Sequence, residues 1–192
     1  MNLKTISTLL VLSGIAATST FAQATDDKDD FHTITVTIPE VAILDLETSS
    51  ASSAITLAAV APTEAGNAID FTDASNSDLW LNYSSIIGSS TEPSRNVTAA
   101  LGTAVPAGVE IKVTASAATA TGAGVKGTTA GEVVLSTTAQ NVITGVGSCY
   151  TGTGVNNGHQ LTYVMSLKTG EYGQLDFDNS GDITVTYTLS DN

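Results

Sequence analysis

Two tracts in which every second residue is apolar constrain this chain more than any other feature. Near the front, His32-Thr33-Ile34-Thr35-Val36-Thr37-Ile38 places Ile34, Val36 and Ile38 on one side of an extended backbone. At the end, Ile183-Thr184-Val185-Thr186-Tyr187-Thr188-Leu189 does the same with Ile183, Val185, Tyr187 and Leu189. Side chains of a strand alternate between faces, so each tract has one apolar and one hydroxyl face. A helix would scatter the same residues around its axis. The pattern predicts an all-β body with a strand at each end.

Between these tracts, short apolar runs recur between Gly, Pro, Asn and Ser signals. Strands are predicted at 31–38, 41–46, 54–60, 79–84, 96–101, 109–115, 132–136, 141–146, 160–167 and 183–189. About ten short strands at this spacing mark an antiparallel β-sandwich, Ig-like or jelly-roll-like. Pro39 stands between the first two runs, where it permits a kink without interrupting a ladder. In Leu79-Trp80-Leu81-Asn82-Tyr83, the residues Leu79, Leu81 and Tyr83 share a face and Trp80 takes the other. The Gly-rich stretches 115–131 and 145–158 read as loops, the first with the alternative of an edge hairpin.

The first residues carry the order of a secretory signal: Lys4, a short apolar core at 6–17, and the small-residue site Ala22-Gln23-Ala24. Residues 1–24 are expected to be a cleaved signal peptide. Residues 25–192 would then form one β-sandwich domain, led by a flexible acidic stretch at 25–30. The apolar core is too short to span a bilayer, which takes about 20 residues. The chain has 6 basic and 19 acidic residues, net −13, a field that repels nucleic acid and anionic lipid. An exported protein, at the cell surface or in the periplasm, is expected. The only cysteine, Cys149, excludes an internal disulfide; it reads as a small buried apolar residue, with an intermolecular bridge or a reactive thiol as the alternatives.

Few residues suggest chemistry. Gly122-Ala123-Gly124-Val125-Lys126-Gly127 fits a dinucleotide fingerprint, but no helix follows to meet a pyrophosphate, so a flexible loop is predicted. Asp176-Phe177-Asp178-Asn179-Ser180-Gly181-Asp182-Ile183 reproduces the first eight positions of a calcium loop. Asp176, Asp178, Ser180 and Asp182 would be the ligands. Position twelve, where a bidentate Glu belongs, is Tyr187, and a polar hairpin turn at 178–181 accounts for the same residues. Calcium is the one candidate cofactor. His32 lies on the face of Ile34 and His159 falls in a predicted loop, with no spacing that pairs them. No zinc-helix motif, nucleophile elbow or paired-carboxylate signature appears, and the chain does not read as an enzyme.

The export signal, the single all-β body and the tracts at 34–38, 161–167 and 183–189 together resemble bacterial surface-appendage subunits, the fimbrial pilins and their relatives. The resemblance implies a structural or adhesive subunit of a pilus or fimbria that associates with itself or with other appendage subunits. In the chaperone–usher group an N-terminal strand of one subunit completes the sandwich of the next. By that likeness Ile34, Val36 and Ile38 would be the strand-exchange side chains, and the terminal strand would line the receiving groove. The chain departs from that group in lacking a disulfide and a tyrosine close to its end. Pairing of 31–38 within its own molecule remains an alternative. So does an extracellular carbohydrate- or ligand-binding sandwich, calcium-stabilised or not, using the Gly-rich stretches and Trp80.

Overall fold

A computed structural model describes residues 28–88 and 90–192; the predicted signal peptide at 1–24 lies outside them. Residues Ile38–Asn192 form one compact unit, and the short stretch before it is a separate one. Among the described residues the compact unit holds nine antiparallel strands: β1 (Val41–Thr48), β2 (Ser75–Ile86), β3 (Arg95–Leu101), β4 (Val109–Ala115), β5 (Ala123–Thr129), β6 (Glu132–Val134), β7 (Gln140–Tyr150), β8 (His159–Leu167) and β9 (Val185–Asp191). Two single 3-10 turns, Tyr172–Gln174 and Phe177–Asn179, are the only helical elements among the described residues. None is long and apolar enough to cross a membrane.

The strands belong to one continuous sheet, ordered β6-β4-β8-β2-β7-β3-β9, with β1 on β2 and β5 on β7 as branches. Two long strands make the branching possible. The twelve-residue β2 pairs with β8 at one end, with β1 along residues 79–86, and with β7 at Ser84 and Ser85 alone. The eleven-residue β7 carries β3 and β5 along its length. That two-residue β2–β7 junction is the shortest pairing in the sheet. The result is an all-β, sandwich-like fold in which a single sheet supplies both faces.

Alternation explains the core. On β3, Arg95, Val97, Ala99 and Leu101 are buried while Asn96, Thr98 and Ala100 are half-buried. On β2, Leu79, Leu81 and Tyr83 point inward and Trp80 outward, as the sequence predicts. Leu81, Val97, Val113, Ile143, Val146 and Leu161, from five strands, are fully excluded from water in one cluster. Each such Leu, Ile or Val contributes about 1.5–3 kcal/mol by leaving water.

Three predictions fail locally. Residues 54–60 form no strand; only Val60 makes an isolated bridge, with Asp70, although Ile55 and Leu57 still pack against the core. The fingerprint-like stretch is not a flexible loop but lies largely in β5, paired with β7. The predicted loop at 145–158 begins inside β7. The glycines of β5 account for the strand. Gly124 has φ +85°, and an added Cβ would come within 2.1 Å of the Ser148 carbonyl oxygen. The backbone is tucked against β7 at a position only Gly tolerates.

Candidate assembly interface

The N-terminal tract is described here by itself. The strand predicted at 31–38 is not formed: these residues carry no strand ladder among the described residues, and the first strand is β1. Their apolar side chains stand in water: Phe31 is 92% exposed, Ile34 73%, Val36 79% and Ile38 76%. Exposed large apolar residues in isolation are ordinary, but three at strand spacing, Ile34, Val36 and Ile38, make an apolar face, with Phe31 on the opposite one. His32 is exposed as well.

Four strands of the compact unit, β1, β5, β6 and β9, each have a single ladder partner among the described residues. Among the described residues β1 is paired only with β2, and β9 only with β3. The outer edges of both strands therefore present main-chain N–H and C=O groups without ladder partners. Their inward side chains are also incompletely covered. Leu44 and Leu46 of β1 and Val185, Tyr187 and Leu189 of β9 pack against the core but stay half-buried, while Leu79 and Leu81 of β2, Val97 of β3, Val113 of β4, Ile143 and Val146 of β7 and Leu161 of β8 are buried. Thr186 and Thr188 face solvent. Tyr187 is held in place by its hydroxyl, 2.7 Å from that of Tyr163. Burial pushes the Tyr163 phenol up to about 12 and raises that of Tyr187 further, so both are neutral donors and acceptors.

One end of this open side is tied shut by Arg95. Its inward position on β3 would suit an aliphatic residue, and the guanidinium is only 1% exposed. Every N–H direction finds an acceptor. Nε donates to Asp191 Oδ1 at 2.8 Å. Nη1 donates to the Val41 carbonyl at 2.6 Å, the Ile86 carbonyl at 3.1 Å and Ser85 Oγ at 3.2 Å. Nη2 donates to Glu40 at 2.5 Å and Glu92 at 3.0 Å. The start of β1, the end of β2 and the end of β9 are thereby gathered on one side chain. Arg95 is the chain's only arginine, and its planar fork suits this convergence as a lysine's point charge would not. Glu40, Glu92 and Asp191 bring carboxylate oxygens within 4.8 Å of one another, and the guanidinium supplies their counter-charge. Burial, reinforced by the Asp191 and Glu40 carboxylates, pushes the Glu92 carboxyl above its ordinary value. Sequence reasoning passed over Arg95; the signal was a lone arginine in register with Val97, Ala99 and Leu101.

The other singled-out residues lie elsewhere. Asp176 caps the turn Phe177–Asn179: its carboxylate accepts from the Asp178 N–H and from Asn179 Nδ2, both at 3.0 Å. Ser180 Oγ donates to the Phe177 carbonyl at 3.0 Å. The carboxylates of Asp176, Asp178 and Asp182 do not converge as those around Arg95 do, and no hairpin strand precedes the turn. Cys149 is free and 6% exposed, and burial raises its thiol. His159 is not in a loop: it opens β8, 1% exposed, with its ring stacked on Tyr83. Its Nδ1–H donates to the Ser116 carbonyl at 2.8 Å, and Nε2 lies 2.8 Å from the Tyr83 hydroxyl, which also bonds the Lys126 carbonyl. Trp80 is half-buried on the outer face of β2. Comparison of the chain with known protein families, curated proteins and solved structures returned no match.

Proposed function

We propose that this chain is an exported structural or adhesive subunit that assembles into a fimbria-like filament by strand exchange. The segment 31–38 of one copy adds to the open β1/β9 side of the next. The observation that carries this reading is the exposed apolar alternation of Ile34, Val36 and Ile38 in a chain whose edge strands keep half-buried apolar side chains. An added strand would convert two unpaired edges into ladders and cover Leu44, Leu46, Val185, Tyr187 and Leu189. The lengths agree: a seven-residue strand spans about 23 Å, and β9 has seven residues. Export rests on the signal pattern at 1–24.

The test compares chains beginning at residue 25 and at residue 39. Sedimentation at two concentrations and negative-stain microscopy are expected to show concentration-dependent filaments for the longer chain. The shorter chain, with unchanged far-UV circular dichroism, should be monomeric. A longer chain that stays monomeric at both concentrations refutes the reading.

A further inference from the structure

Tyr83, His159 and Lys126 join three strands through groups that strand exchange does not use. Tyr83 lies on β2, His159 opens β8 and Lys126 lies in β5. We infer that they form a proton-operated latch on β5: when the His159 ring takes up a proton, the Tyr83 hydroxyl turns from the ring to the Lys126 carbonyl and fastens β5 to β2.

The latch follows from counting hydrogens. Carbonyl oxygens only accept, so the contact of His159 Nδ1 with the Ser116 carbonyl, at 2.8 Å, requires a proton on Nδ1. In the neutral ring Nε2 is then a bare acceptor. The Tyr83 hydroxyl lies 2.8 Å from Nε2 and also meets the Lys126 carbonyl. It has one hydrogen for two acceptors, and the imidazole nitrogen is the more basic of them. While the ring is neutral the hydroxyl serves Nε2, and its contact with the Lys126 carbonyl has no proton. An imidazolium supplies the missing hydrogen: Nε2–H donates to the phenol oxygen, and the phenol O–H donates to the Lys126 carbonyl. Three contacts then have three hydrogens. The ring itself has little room to move, because it is 1% exposed and stacked on Tyr83 with centroids 5.6 Å apart.

On β5 such a link tells. The strand pairs only with β7 among the described residues, and that register slips by one residue between Gly124 and Lys126. A broken ladder leaves main-chain groups free for other partners. Lys126 is held at both ends: its carbonyl by Tyr83, and its ammonium by the Thr119 and Thr121 carbonyls, at 2.6 and 2.7 Å. The titratable groups around the ring favour the neutral state at pH 7. Burial raises the Tyr83 phenol well above its ordinary value, so it keeps its proton. The Cys149 thiol, which faces Tyr83, is likewise raised by burial and stays uncharged. Burial, joined by the Lys126 ammonium, opposes proton uptake by His159 and sets the switch below the ordinary histidine value of 6.5. Among the described residues no carboxylate acts on the ring.

The test follows the ring and the carbonyl together. In the isotope-labelled chain, by solution NMR or by solid-state NMR of assembled material, the His159 ring shifts and the Lys126 carbonyl carbon shift are recorded from about pH 7.5 to about pH 4.5. The expected result is a change at the Lys126 carbonyl with the same midpoint as the ring. Protection of the β5 amides, corrected for the intrinsic pH dependence of exchange, should rise about fivefold below that midpoint, the equivalent of one hydrogen bond of about 1 kcal/mol. In folded Y83F the ring still titrates and both changes disappear. In H159Q neither the carbonyl nor the protection changes over the range. A Lys126 carbonyl indifferent to the ring's titration overturns the latch. So does a ring that takes up no proton while the chain stays folded, a β5 protection that falls on protonation, or a Y83F chain that keeps both changes. The parent titration decides the outcome even where neither variant folds.

Discussion

Replacing Ile34 by Ala tests strand exchange at one side chain. The substitution removes three carbons, each worth about 0.8 kcal/mol when fully taken out of water. Ile34 is 73% exposed in the unassembled chain, so about three quarters of that transfer is available on assembly. The expected loss is therefore about 1.8 kcal/mol per contact, or a roughly 20-fold weaker subunit association at 1.4 kcal/mol per tenfold. Thr35→Ala leaves the apolar face intact and is expected to change association by less than about threefold, within about 0.5 kcal/mol for an exposed site. Analytical ultracentrifugation over a concentration series reads both, and far-UV circular dichroism confirms that each variant is folded. The contrast between neighbouring residues is the discriminating quantity, because only alternate side chains of an added strand enter a groove. Equal effects at 34 and 35, or none at either, would refute the argument, since a strand cannot bury adjacent side chains on one face.

Two further predictions concern the compact unit. Arg95→Met keeps side-chain volume but leaves Glu40, Glu92 and Asp191 facing one another without a cation. Removing one partner of a buried ionic group costs about 3–5 kcal/mol, and the carboxylates here, 61%, 31% and 52% exposed, can rehydrate, so about 3 kcal/mol is expected. The check is the midpoint of urea unfolding, and an unchanged midpoint contradicts the clamp. The second prediction concerns acid. His159 is held below its ordinary value of 6.5 chiefly by burial, so the unfolded chain binds the proton first and stability falls as pH drops below about 6.5. Glu92, raised in the fold, acts in the opposite sense and loses stability as pH rises through its range. In His159→Gln the fall in unfolding midpoint between about pH 7 and about pH 5.5 should flatten. A slope identical to that of the parent counts against a neutral buried imidazole.

The parts of the fold that were legible in the sequence are those whose side chains alternate. Val97, Ala99 and Leu101, or Leu79, Leu81 and Tyr83, announce their strand and its buried face together, because a period of two is the geometry of the pleat. β5 was illegible for the opposite reason. Its Gly124 and Gly127 have positive φ and no side chain to pattern, and the strand exists because β7 accepts a bare backbone there. Residues 54–60 mislead in the other direction. Ile55 and Leu57 alternate and do reach the core, but burial of alternate side chains does not require a ladder partner. His159 and Arg95 share a third difficulty. Each is a polar residue at a buried position, and its partners come from segments about 40 to 100 residues distant in sequence: Ser116 and Tyr83 for one, Val41 and Asp191 for the other.

An exposed apolar tract that can pair as a strand is ordinarily an aggregation hazard, and natural sheets blunt their edges with charge. This chain does so around the tract rather than within it. Asp26, Asp27, Asp29 and Asp30 precede the segment, Glu40 follows it, and the whole chain stands at net −13. Charge of one sign keeps copies apart at long range, but screening confines that repulsion to about 8 Å at physiological salt. Ladder bonds and apolar burial act only at contact and only in register, where, in the proposed exchange, Ile34, Val36 and Ile38 of one copy would meet Leu44, Leu46, Val185, Tyr187 and Leu189 of another. Repulsion therefore penalises every approach about equally, while attraction rewards one. Under the proposed strand exchange, that difference would separate ordered addition from collapse, and it would give a physical reason for a chain with so few lysines to carry an uncovered apolar tract before β1.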